Sequence, residues 1–328
     1  MKSRAIRIRE PGASDRLELA EIDVPEPGAG EVRVAISTAG VNYIDTYQRS
    51  GLYRVPLPFT LGLEGAGRVE AVGDGVTRWC VGDRVAWAMA PGSYADAMLV
   101  PAERLVALPD AVSEELAAAT LLQGMTAHYL THGVRETRPG DVALVHAAAG
   151  GTGGLLVQML VRAGARVIAT CGTMTKAELA RTAGASDVIL YDEEDFAART
   201  RALTDGRGVD VVYDAVGRAT FEGSLASLRS RGLLCLYGQA SGPVPPFDLN
   251  RLNDLGSLFV TRPSLGHYVA DRASLEGRAD AVFEAVARGE LVQRIGARHP
   301  LEAARRAHDE LESRATTGKL VLTTGNVA

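Results

Sequence analysis

The alternation of apolar and polar positions gives the first 110 residues a β-rich pattern. Short apolar runs are separated by Gly, Pro and Asp turns at intervals of roughly 8–12 residues, as in small antiparallel β structures. The clearest predicted strands are 32–36, 67–72 and 84–88. A helix is predicted to begin at Ser113 and run through 116–122, with a second piece to Leu130. The acidic Glu114 suits the positively polarised N-terminus of this helix, and Gly133 suits its end.

From Asp141 the pattern changes to strands that alternate with helical stretches. The predicted strands are 142–146, 166–170, 188–190, 209–215 and 233–238. This βαβ pattern predicts a parallel sheet with both faces covered. Ligands of such sheets bind at the carboxyl ends of the strands, so the loops after Thr170, Asp214 and Tyr237 are candidate contacts.

The last 85 residues or so, after Pro243, carry a different set of elements. The pattern predicts a strand over 258–260, helices over 273–288 and 301–311, and a final strand over 320–323. Periodicity alone does not say where this tail packs.

A glycine-rich segment follows the first strand of the βαβ region. It reads Ala148-Ala-Gly-Gly-Thr-Gly153, which is the Gly-x-Gly-x-x-Gly pattern with alanine at its first position. Gly150 would let the backbone approach a pyrophosphate, and Gly153 would allow close packing of helix on strand. An ordinary glycine-rich turn is the alternative, but the strand before the segment and the helix after it favour a dinucleotide site.

The residues after the second strand of the βαβ region indicate which dinucleotide the site would bind. An NAD site carries Asp or Glu about 20 residues after the first glycines, where it holds the ribose 2′-hydroxyl. Here residues 169–176 contain no acid, and the first one is Glu178. Lys176, with the turn at Gly172 and Thr173, offers a charge and donors for a 2′-phosphate. A solvated lysine at a helix start is the alternative, and the missing carboxylate favours NADP(H).

Composition restricts the other classes of function. With 328 residues, 46% of them hydrophobic, the chain is long enough for two domains. The net charge of −5 and the absence of a long basic run argue against nucleic-acid binding. Cys80, Cys171 and Cys235 indicate no disulfide framework, so a reducing compartment is expected. Residues 2–9 alternate like a strand rather than a signal peptide, and no segment is apolar enough to span a membrane, so we expect a cytoplasmic protein.

Four segments together resemble the zeta-crystallin-like NADPH:quinone oxidoreductases of the medium-chain dehydrogenase/reductase superfamily. They are Val41-Asn-Tyr-Ile-Asp-Thr-Tyr-Gln-Arg-Ser-Gly-Leu-Tyr53, Gly62-Leu-Glu-Gly-Ala-Gly67, the loop His146–Gly153, and the tail from Ala307-His308 to Glu312-Ser-Arg-Ala315. The resemblance runs in order from about residue 5 to the end of the chain.

This resemblance implies a doubly wound parallel Rossmann sheet inserted in a GroES-like β domain. The expected division is a β domain over 1–122, completed by 264–328, and a Rossmann NADP-binding domain over 123–263. The cofactor would lie in the cleft between the domains. Members of the family are usually homodimers that pair their Rossmann sheets edge to edge, so a homodimer is expected.

The same resemblance indicates a site without a metal. Zinc-dependent relatives carry an early catalytic Cys and a Gly-His-Glu segment, and here Asn42 and Leu63 stand at those positions. The chain also lacks the cluster of four cysteines of a structural zinc site. We therefore expect no metal, and we expect Glu64 to be a buried, paired carboxylate.

Residue by residue, the resemblance implies catalytic roles for Asn42, Tyr47 and Tyr53. The cofactor contacts it implies are Asn42, Asp45, Thr126, Tyr129, Gly151, Thr152, Gly172, Thr173, Lys176, Tyr191, Val216, Tyr237, Gly238, Gln239, Phe259 and Arg314. His146 and His308 are interpreted as structural residues.

The implied activity is metal-free transfer of a hydride from NADPH to a quinone. A quinone accepts a hydride without a metal to polarise its carbonyl, and the protein orients the cofactor. One alternative is an NADPH-dependent reductase of enones, enals or enoyl thioesters. Another is a non-catalytic NADPH- or RNA-binding protein of the zeta-crystallin type, against which the acidic net charge argues.

Overall fold

The computed structural model describes residues 1–326 and divides the chain into two compact units. Among these residues, unit 1 contains 1–125 and 269–326, and unit 2 contains 126–268. The expected boundaries, 122/123 and 263/264, lie close to these positions. Helix α2 (Glu114–Tyr129) runs through the first of them without a break.

Unit 1 is built mainly of strands. Its elements before α2 are β1 (Lys2–Ile8), β2 (Glu18–Asp23), β3 (Glu31–Val41), α1 (Tyr43–Ser50), β4 (Phe59–Thr60), β5 (Glu64–Val72), β6 (Arg84–Ala88), β7 (Ala97–Pro101) and β8 (Leu105–Ala107). Strands β3, β5 and β6 cover the three runs that the apolar pattern predicts. Helix α1, with few apolar residues, is not visible in that pattern.

Unit 2 alternates strands and helices as predicted. Its elements after α2 are β9 (Val142–Val145), α3 (Gly151–Arg162), β10 (Arg166–Cys171), α4 (Met174–Thr182), β11 (Asp187–Leu190), α5 (Phe196–Leu203), β12 (Val209–Asp214), α6 (Phe221–Ser227), β13 (Leu228–Leu236), α7 (Asn250–Asp254), β14 (Phe259–Thr261) and α8 (Leu265–Tyr268). The tail then adds α9 (Arg272–Ala287), β15 (Ile295–Pro300), α10 (Ala304–Glu312) and β16 (Lys319–Thr323) to unit 1.

The sheets of unit 1 show where the tail packs. A seven-stranded sheet has the order β15-β16-β3-β5-β6-β8, with β7 also paired to β3, and a three-stranded sheet has the order β2-β1-β4. Strand β16 runs antiparallel to β3 with Leu320 opposite Val41. This register brings Lys319, the residue before Leu320, to the end of β3 where Asn42 begins helix α1.

The sheet of unit 2 has six parallel strands in the order β11-β10-β9-β12-β13-β14. Counted from β9, this is the order 3-2-1-4-5-6 of a dinucleotide-binding Rossmann fold. Leu144, Ile168, Val212 and Leu234 fill its core, each at most 1% exposed. The predicted α/β class with a Rossmann sheet and a GroES-like β domain is confirmed.

No helix among residues 1–326 is both long and apolar enough to cross a membrane.

Candidate active site

The loop between β9 and α3 leaves a helix start open in unit 2. Gly150 is the N-cap of α3 in extended conformation, and its lack of a side chain leaves the first turn without a side-chain cap. The first N–H groups of a helix bind an anion well, because they lack partners within the helix and lie at its positive end. Gly151 and Thr152, both predicted to face a pyrophosphate, form this first turn.

Gly153 is required by the packing behind that turn. A Cβ atom at this position would overlap the carbonyl oxygen of Ala147 and lie 2.9 Å from Cα of Ala148. Ala147 itself adopts a left-handed backbone with φ of 52°. The close approach of helix and strand that the glycine pattern predicts is present here, and this cradle suits a pyrophosphate.

A buried polar chain fixes the base of the loop. Ser224 Oγ donates to Asp214 Oδ2 at 2.9 Å, so it accepts from His146 Nε2 at 3.0 Å. His146 Nδ1 then accepts from Thr170 Oγ1 at 2.8 Å. Burial lowers the pKa of His146, which keeps the imidazole neutral in this arrangement. These contacts agree with the structural role expected for His146.

Asp214 also organises the loops that follow β12 and β13. Its Oδ1 accepts from the N–H groups of Val216 at 2.7 Å and Gly217 at 3.0 Å. Its carbonyl oxygen accepts from Tyr237 N at 2.9 Å and Gly238 N at 3.2 Å. Three predicted cofactor contacts, Val216, Tyr237 and Gly238, therefore meet around Asp214, which the sequence identifies only as the end of a strand.

A further close approach occurs between these two loops. A Cβ atom at Gly238 would lie 2.5 Å from the carbonyl oxygen of Ala215, so only glycine fits. Gln239, the next predicted contact, accepts at its carbonyl from Gly242 N at 2.8 Å and so begins the turn that follows.

The end of β10 carries the predicted adenosine-phosphate contacts. Thr173 is the N-cap of α4, and its Oγ1 accepts from Lys176 N at 3.3 Å. A Cβ atom at Gly172 would lie 2.8 Å from Tyr191 Oη and 3.3 Å from Asp192 Oδ2. The structure thus brings Gly172, Thr173, Lys176 and Tyr191 together, and it adds Asp192, which the sequence argument overlooked because that residue follows the next strand.

Tyr129 and Thr126 lie on the last turns of α2. Tyr129 is 2% exposed, and its ring stacks on Tyr268 with centroids 4.4 Å apart. Burial raises the pKa of Tyr129, and the charge of Arg262 acts in the opposite direction. Arg262 directly follows β14 at the carboxyl edge of the sheet, a position that a rule based on strand ends could have found.

Phe259, which the resemblance places beside the nicotinamide, does not reach the carboxyl edge of the sheet, and its role toward the cofactor stays a prediction. The register places Phe259 level with Leu233, whereas Tyr237 and Gly238 come after the end of β13. Each residue of a parallel strand advances about 3.3 Å. Phe259 is therefore well below the carboxyl edge, and it is 61% exposed on the outermost strand.

In unit 1, helix α1 contains two tyrosines, Tyr43 and Tyr47, and Tyr53 follows its C-terminal end. The rings of Tyr47 and Tyr53 meet edge to face with centroids 5.3 Å apart, and Tyr53 N donates to the carbonyl of Tyr47 at 2.9 Å. The ring of Tyr43 lies 6.2 Å from that of Tyr47. The two tyrosines expected to be catalytic are thus neighbours on one short segment.

Asp45, whose contact with the cofactor stays a prediction, bonds to residues of unit 1. It is fully buried, and its Oδ2 accepts from Asn42 N at 2.8 Å and Tyr94 Oη at 2.9 Å. Because Tyr94 donates to Asp45, its oxygen accepts from His308 Nε2 at 3.2 Å, and His308 Nδ1 accepts from Arg49 at 3.2 Å. Asp45 therefore caps helix α1 from inside unit 1.

Asn42 lies at a buried ion pair. Lys319 Nζ donates to Glu64 Oε2 at 2.5 Å and to Asn42 Oδ1 at 2.7 Å, and both charged side chains are 0% exposed. Asn42 Nδ2 donates to Glu64 Oε2 at 2.8 Å. Glu64 is thus the buried, paired carboxylate that the sequence predicts, and Lys319 is a partner that sequence reasoning missed.

Arg314, the remaining predicted contact, lies in unit 1, two residues after the end of α10. Its backbone is left-handed with φ of 57°, and its N–H donates to the carbonyl of Leu311 at 3.2 Å. Its role toward the adenosine phosphate stays a prediction.

Comparison with known proteins agrees with this architecture. Residues 28–110 match the alcohol dehydrogenase GroES-like domain family, and residues 151–274 match the zinc-binding dehydrogenase family. A quinone oxidoreductase of Pseudomonas aeruginosa is 46% identical over 322 residues, which cover 98% of this chain and 99% of that protein. A 2-haloacrylate reductase of a Burkholderia species is 41% identical over 324 residues, covering 96% of this chain and 97% of that protein.

A solved structure shows the same fold. Escherichia coli quinone oxidoreductase in complex with NADPH has a TM-score of 0.95 and 42% sequence identity, covering 98% of this chain and 99% of that one. The Rossmann sheet, the open start of α3 and the GroES-like unit define a two-domain, dinucleotide-dependent oxidoreductase. The chain belongs to the medium-chain dehydrogenase/reductase superfamily, in its zinc-free quinone oxidoreductase branch.

The residues around Asn42 do not suit the zinc ion that one family description implies. Zinc takes thiolate, imidazole or carboxylate ligands, whereas this centre offers an amide, the aliphatic Leu63 and a carboxylate already bonded to an ammonium. Among residues 1–326, no group of three or more His, Cys, Asp or Glu side chains could hold a metal.

Proposed function

We propose that this protein transfers a hydride from NADPH to a quinone without a metal. The observation that carries the proposal is full-length similarity to quinone oxidoreductases, combined with an ammonium rather than a metal-ligand set beside Asn42. A quinone accepts a hydride without Lewis-acid help, whereas an unactivated alcohol does not give one up readily. The chemistry of this centre therefore favours an electron-poor carbonyl substrate.

NADPH, when bound, supplies the hydride, and unit 2 carries the groups that would hold it. The first turn of α3 would bind the pyrophosphate, because its N–H groups are open and Gly153 lets the helix approach the strand. Thr173 and Lys176 would bind the 2′-phosphate. NADPH complexes among similar structures support the same cofactor.

On the substrate side, we assign hydrogen bonding to the hydroxyls of Tyr47 and Tyr53. Asn42 is less suited to this direct role, because its Oδ1 accepts from Lys319 and Gln123 and its Nδ2 donates to Glu64 and Gly40. A donor aimed at an oxygen that gains charge is worth about 3–4 kcal/mol in a dry site.

A second candidate is reduction of a conjugated double bond. The 2-haloacrylate reductase that is 41% identical to this chain supports it, since a haloacrylate is a conjugated acid. Both reactions would use the same cofactor and the same metal-free centre.

The deciding experiment follows NADPH oxidation at 340 nm with 1,4-benzoquinone and, separately, with 2-chloroacrylate and an enone at matched concentrations. We expect the quinone to give the highest kcat/KM, in the presence and absence of a chelator. Faster turnover of chloroacrylate would support the second candidate. Tight NADPH binding without turnover of any of them would support a binding protein.

We also propose a homodimer that forms through β14, in a cytoplasmic location. Strand β14 is the outermost strand of its sheet, with Phe259 61% and Val260 39% exposed on its two faces. Nearby chain adds the exposed apolar side chains of Leu249 and Leu255. All three cysteines are free thiols, which agrees with a reducing compartment.

A further inference from the structure

A buried lysine in the last strand contacts the residue that begins helix α1. Lys319 is the first residue of β16, and no part of its side chain is exposed. Burial lowers the pKa of Lys319, and the charges of Glu64 and Asp45 act in the opposite direction. A lysine is seldom fully buried unless a partner compensates its charge. Here the partner is Glu64, 2.5 Å away and equally buried.

The pair and its neighbours fix the amide of Asn42 in one orientation. Oδ1 faces two donors, Lys319 Nζ at 2.7 Å and Gln123 Nε2 at 3.2 Å. Nδ2 faces two acceptors, Glu64 Oε2 at 2.8 Å and the carbonyl of Gly40 at 3.3 Å. A flipped amide would place like groups against each other at both ends, so all four hydrogen bonds specify the same rotamer.

The carboxylate of Glu64 is itself held from the other side. Its Oε1 accepts from Leu122 N at 2.6 Å. A Cβ atom at Gly40 would overlap Glu64 Oε2 and lie 2.9 Å from its Cδ, so glycine makes room for the carboxylate. We call Lys319, Glu64 and the Asn42 amide the ammonium clamp.

The clamp connects to the two tyrosines through helix α1. Asn42 precedes the helix as its N-cap, and Asp45 in its first turn accepts from Asn42 N at 2.8 Å. Tyr47 lies two residues after Asp45 in the same helix, and Tyr53 contacts Tyr47 through its N–H and its ring. Asn42 therefore fixes the start of the helix that carries Tyr47 and against which Tyr53 packs.

We propose that Lys319 is a positioning residue for hydride transfer, which holds Asn42 and helix α1 so that Tyr47 and Tyr53 meet the substrate. This proposal rests on the proposed function for its kinetic part. It assigns no chemical step to Lys319, and it makes the last strand of the chain part of the substrate-binding apparatus. We expect NADPH affinity to depend mainly on the open start of α3 and the end of β10, so that loss of the clamp changes it little.

The test compares Lys319→Met, Lys319→Arg and the doubly neutral Glu64→Gln/Lys319→Met. We expect Lys319→Met to lower kcat at least tenfold per NADPH-binding site, with the NADPH Kd changed less than twofold. Lys319→Arg restores most of the rate, since it retains the cation. Arg33→Met, which removes a cation of unit 1 that pairs with Glu26 and Glu70, serves as the control and retains wild-type kcat.

The comparison of kcat with NADPH affinity separates positioning from a general loss of structure. In Lys319→Met, the buried carboxylate of Glu64 loses the ammonium 2.5 Å away, whereas the doubly neutral variant leaves no uncompensated charge there. We expect the doubly neutral variant to recover stability relative to Lys319→Met without recovering kcat, because neither variant has the ammonium that donates to Asn42 Oδ1. Wild-type kcat in the doubly neutral variant, or a parallel loss of NADPH binding in Lys319→Met, would overturn the proposal.

A readout independent of any substrate is hydrogen–deuterium exchange. We expect Lys319→Met to speed exchange in residues 43–53 while peptides from unit 2 keep their protection. If wild-type protein reduces no quinone, the proposed function fails, and this exchange result still tests the clamp. Unchanged exchange over 43–53 would overturn it, and if Lys319→Met does not fold, the Arg and doubly neutral variants carry the same comparison.

Discussion

The carbonyl oxygen of Ala147 occupies the space where a side chain at Gly153 would start. Ala147 is in the left-handed region with φ of 52°, and its carbonyl also accepts from Gly150 N at 2.9 Å. The loop before α3 therefore passes directly against Gly153, the third residue of the helix. This contact sets how closely the helix start approaches the end of β9, and so it shapes the phosphate site.

Gly153→Ala should damage this site. The added methyl group overlaps backbone atoms that cannot move as a flexible side chain would, so we expect about 1–3 kcal/mol lower free energy of unfolding. NADPH affinity should fall at least tenfold, measured by the fluorescence of the bound nucleotide.

Gly154→Ala is the matched control for Gly153→Ala, because its nearest neighbour, Ala148 O, would be 3.7 Å from the new Cβ. Its stability should stay within about 1 kcal/mol of wild type, since alanine is the better helix former. Equal losses in both variants would contradict the steric argument.

Two opposite charges near the end of β10 should tune the choice between NADPH and NADH. Lys176→Ala should raise the KM for NADPH about tenfold, because a charge-assisted hydrogen bond is lost, and leave the KM for NADH nearly unchanged. Asp192→Asn should lower the KM for NADPH, because Asp192 Oδ2 lies 3.3 Å from the Cβ position of Gly172 and repels a phosphate there. Initial rates with both cofactors measure each effect.

Arg181→Ala controls for net charge, since Arg181 lies on the same helix and pairs with the exposed Glu178. It should leave both KM values unchanged. If Lys176→Ala affected NADPH and NADH alike, the phosphate assignment would be wrong.

Ser224→Ala should weaken the polar chain under the nucleotide loop. The substitution leaves His146 Nε2–H without its acceptor and Asp214 without one donor, at a cost of about 1–3 kcal/mol in the free energy of unfolding. Ser227→Ala, on the same buried helix, removes only a local bond to Gly223 O and should cost about 0.5 kcal/mol. Urea denaturation measures both. A Ser224 variant as stable as the Ser227 variant would show that this buried chain of hydrogen bonds contributes nothing to the free energy of unfolding.

The sequence predicts the regular parts of this protein well, because its strands and glycines obey local rules. The β9–α3 turn needs Gly153 whatever surrounds it, so the glycine pattern alone identifies it. Phe259 is different, since its distance from the carboxyl edge depends on the register between β13 and β14. A short strand of three residues gives no local signal for that register.

The partner of Glu64 escaped prediction for a related reason. Lys319 is 255 positions away from Glu64, and taken alone it resembles an exposed residue at the end of a strand. Only the pairing of β16 with β3 brings them together. Asp214 is similar, since the last residue of an apolar strand gives no sign that four backbone N–H groups will converge on it.

The pH dependence of stability should reveal two opposing groups in unit 1. Burial raises the pKa of Asp45 to about 7, and burial, then the charge of Arg49, lowers the pKa of His308 to about 3. Asp45 keeps a proton in the folded state, so its contribution is present at low pH and is lost as the pH rises toward 7. His308 stays neutral when folded, so its contribution is lost as the pH falls below 6.5 toward 3.

When Asp45 or His308 is replaced, the pH dependence of the free energy of unfolding should follow the group that remains. Asp45→Asn should lose about 1 kcal/mol of unfolding free energy per pH unit on going from pH 6 to pH 5, and His308→Gln should show the reverse trend. Urea denaturation at pH 5, 6 and 7 provides the measurement. The exposed His132→Gln is the control and should retain the wild-type dependence. Wild-type slopes in both variants would refute the assignment.

The edge strand β14 should govern the oligomeric state. Val260→Lys places a charge on an outermost strand, where lysine opposes pairing with a second strand, and Val260 is 39% exposed. We expect light scattering after gel filtration to give the dimer mass for wild type and the monomer mass for this variant. Val81→Lys is the matched control, because Val81 is 67% exposed on unit 1, and it should remain dimeric. Since an edge-to-edge pairing buries Phe259 as well, Phe259→Glu should act in the same direction. A dimer that survives both substitutions would place the interface elsewhere.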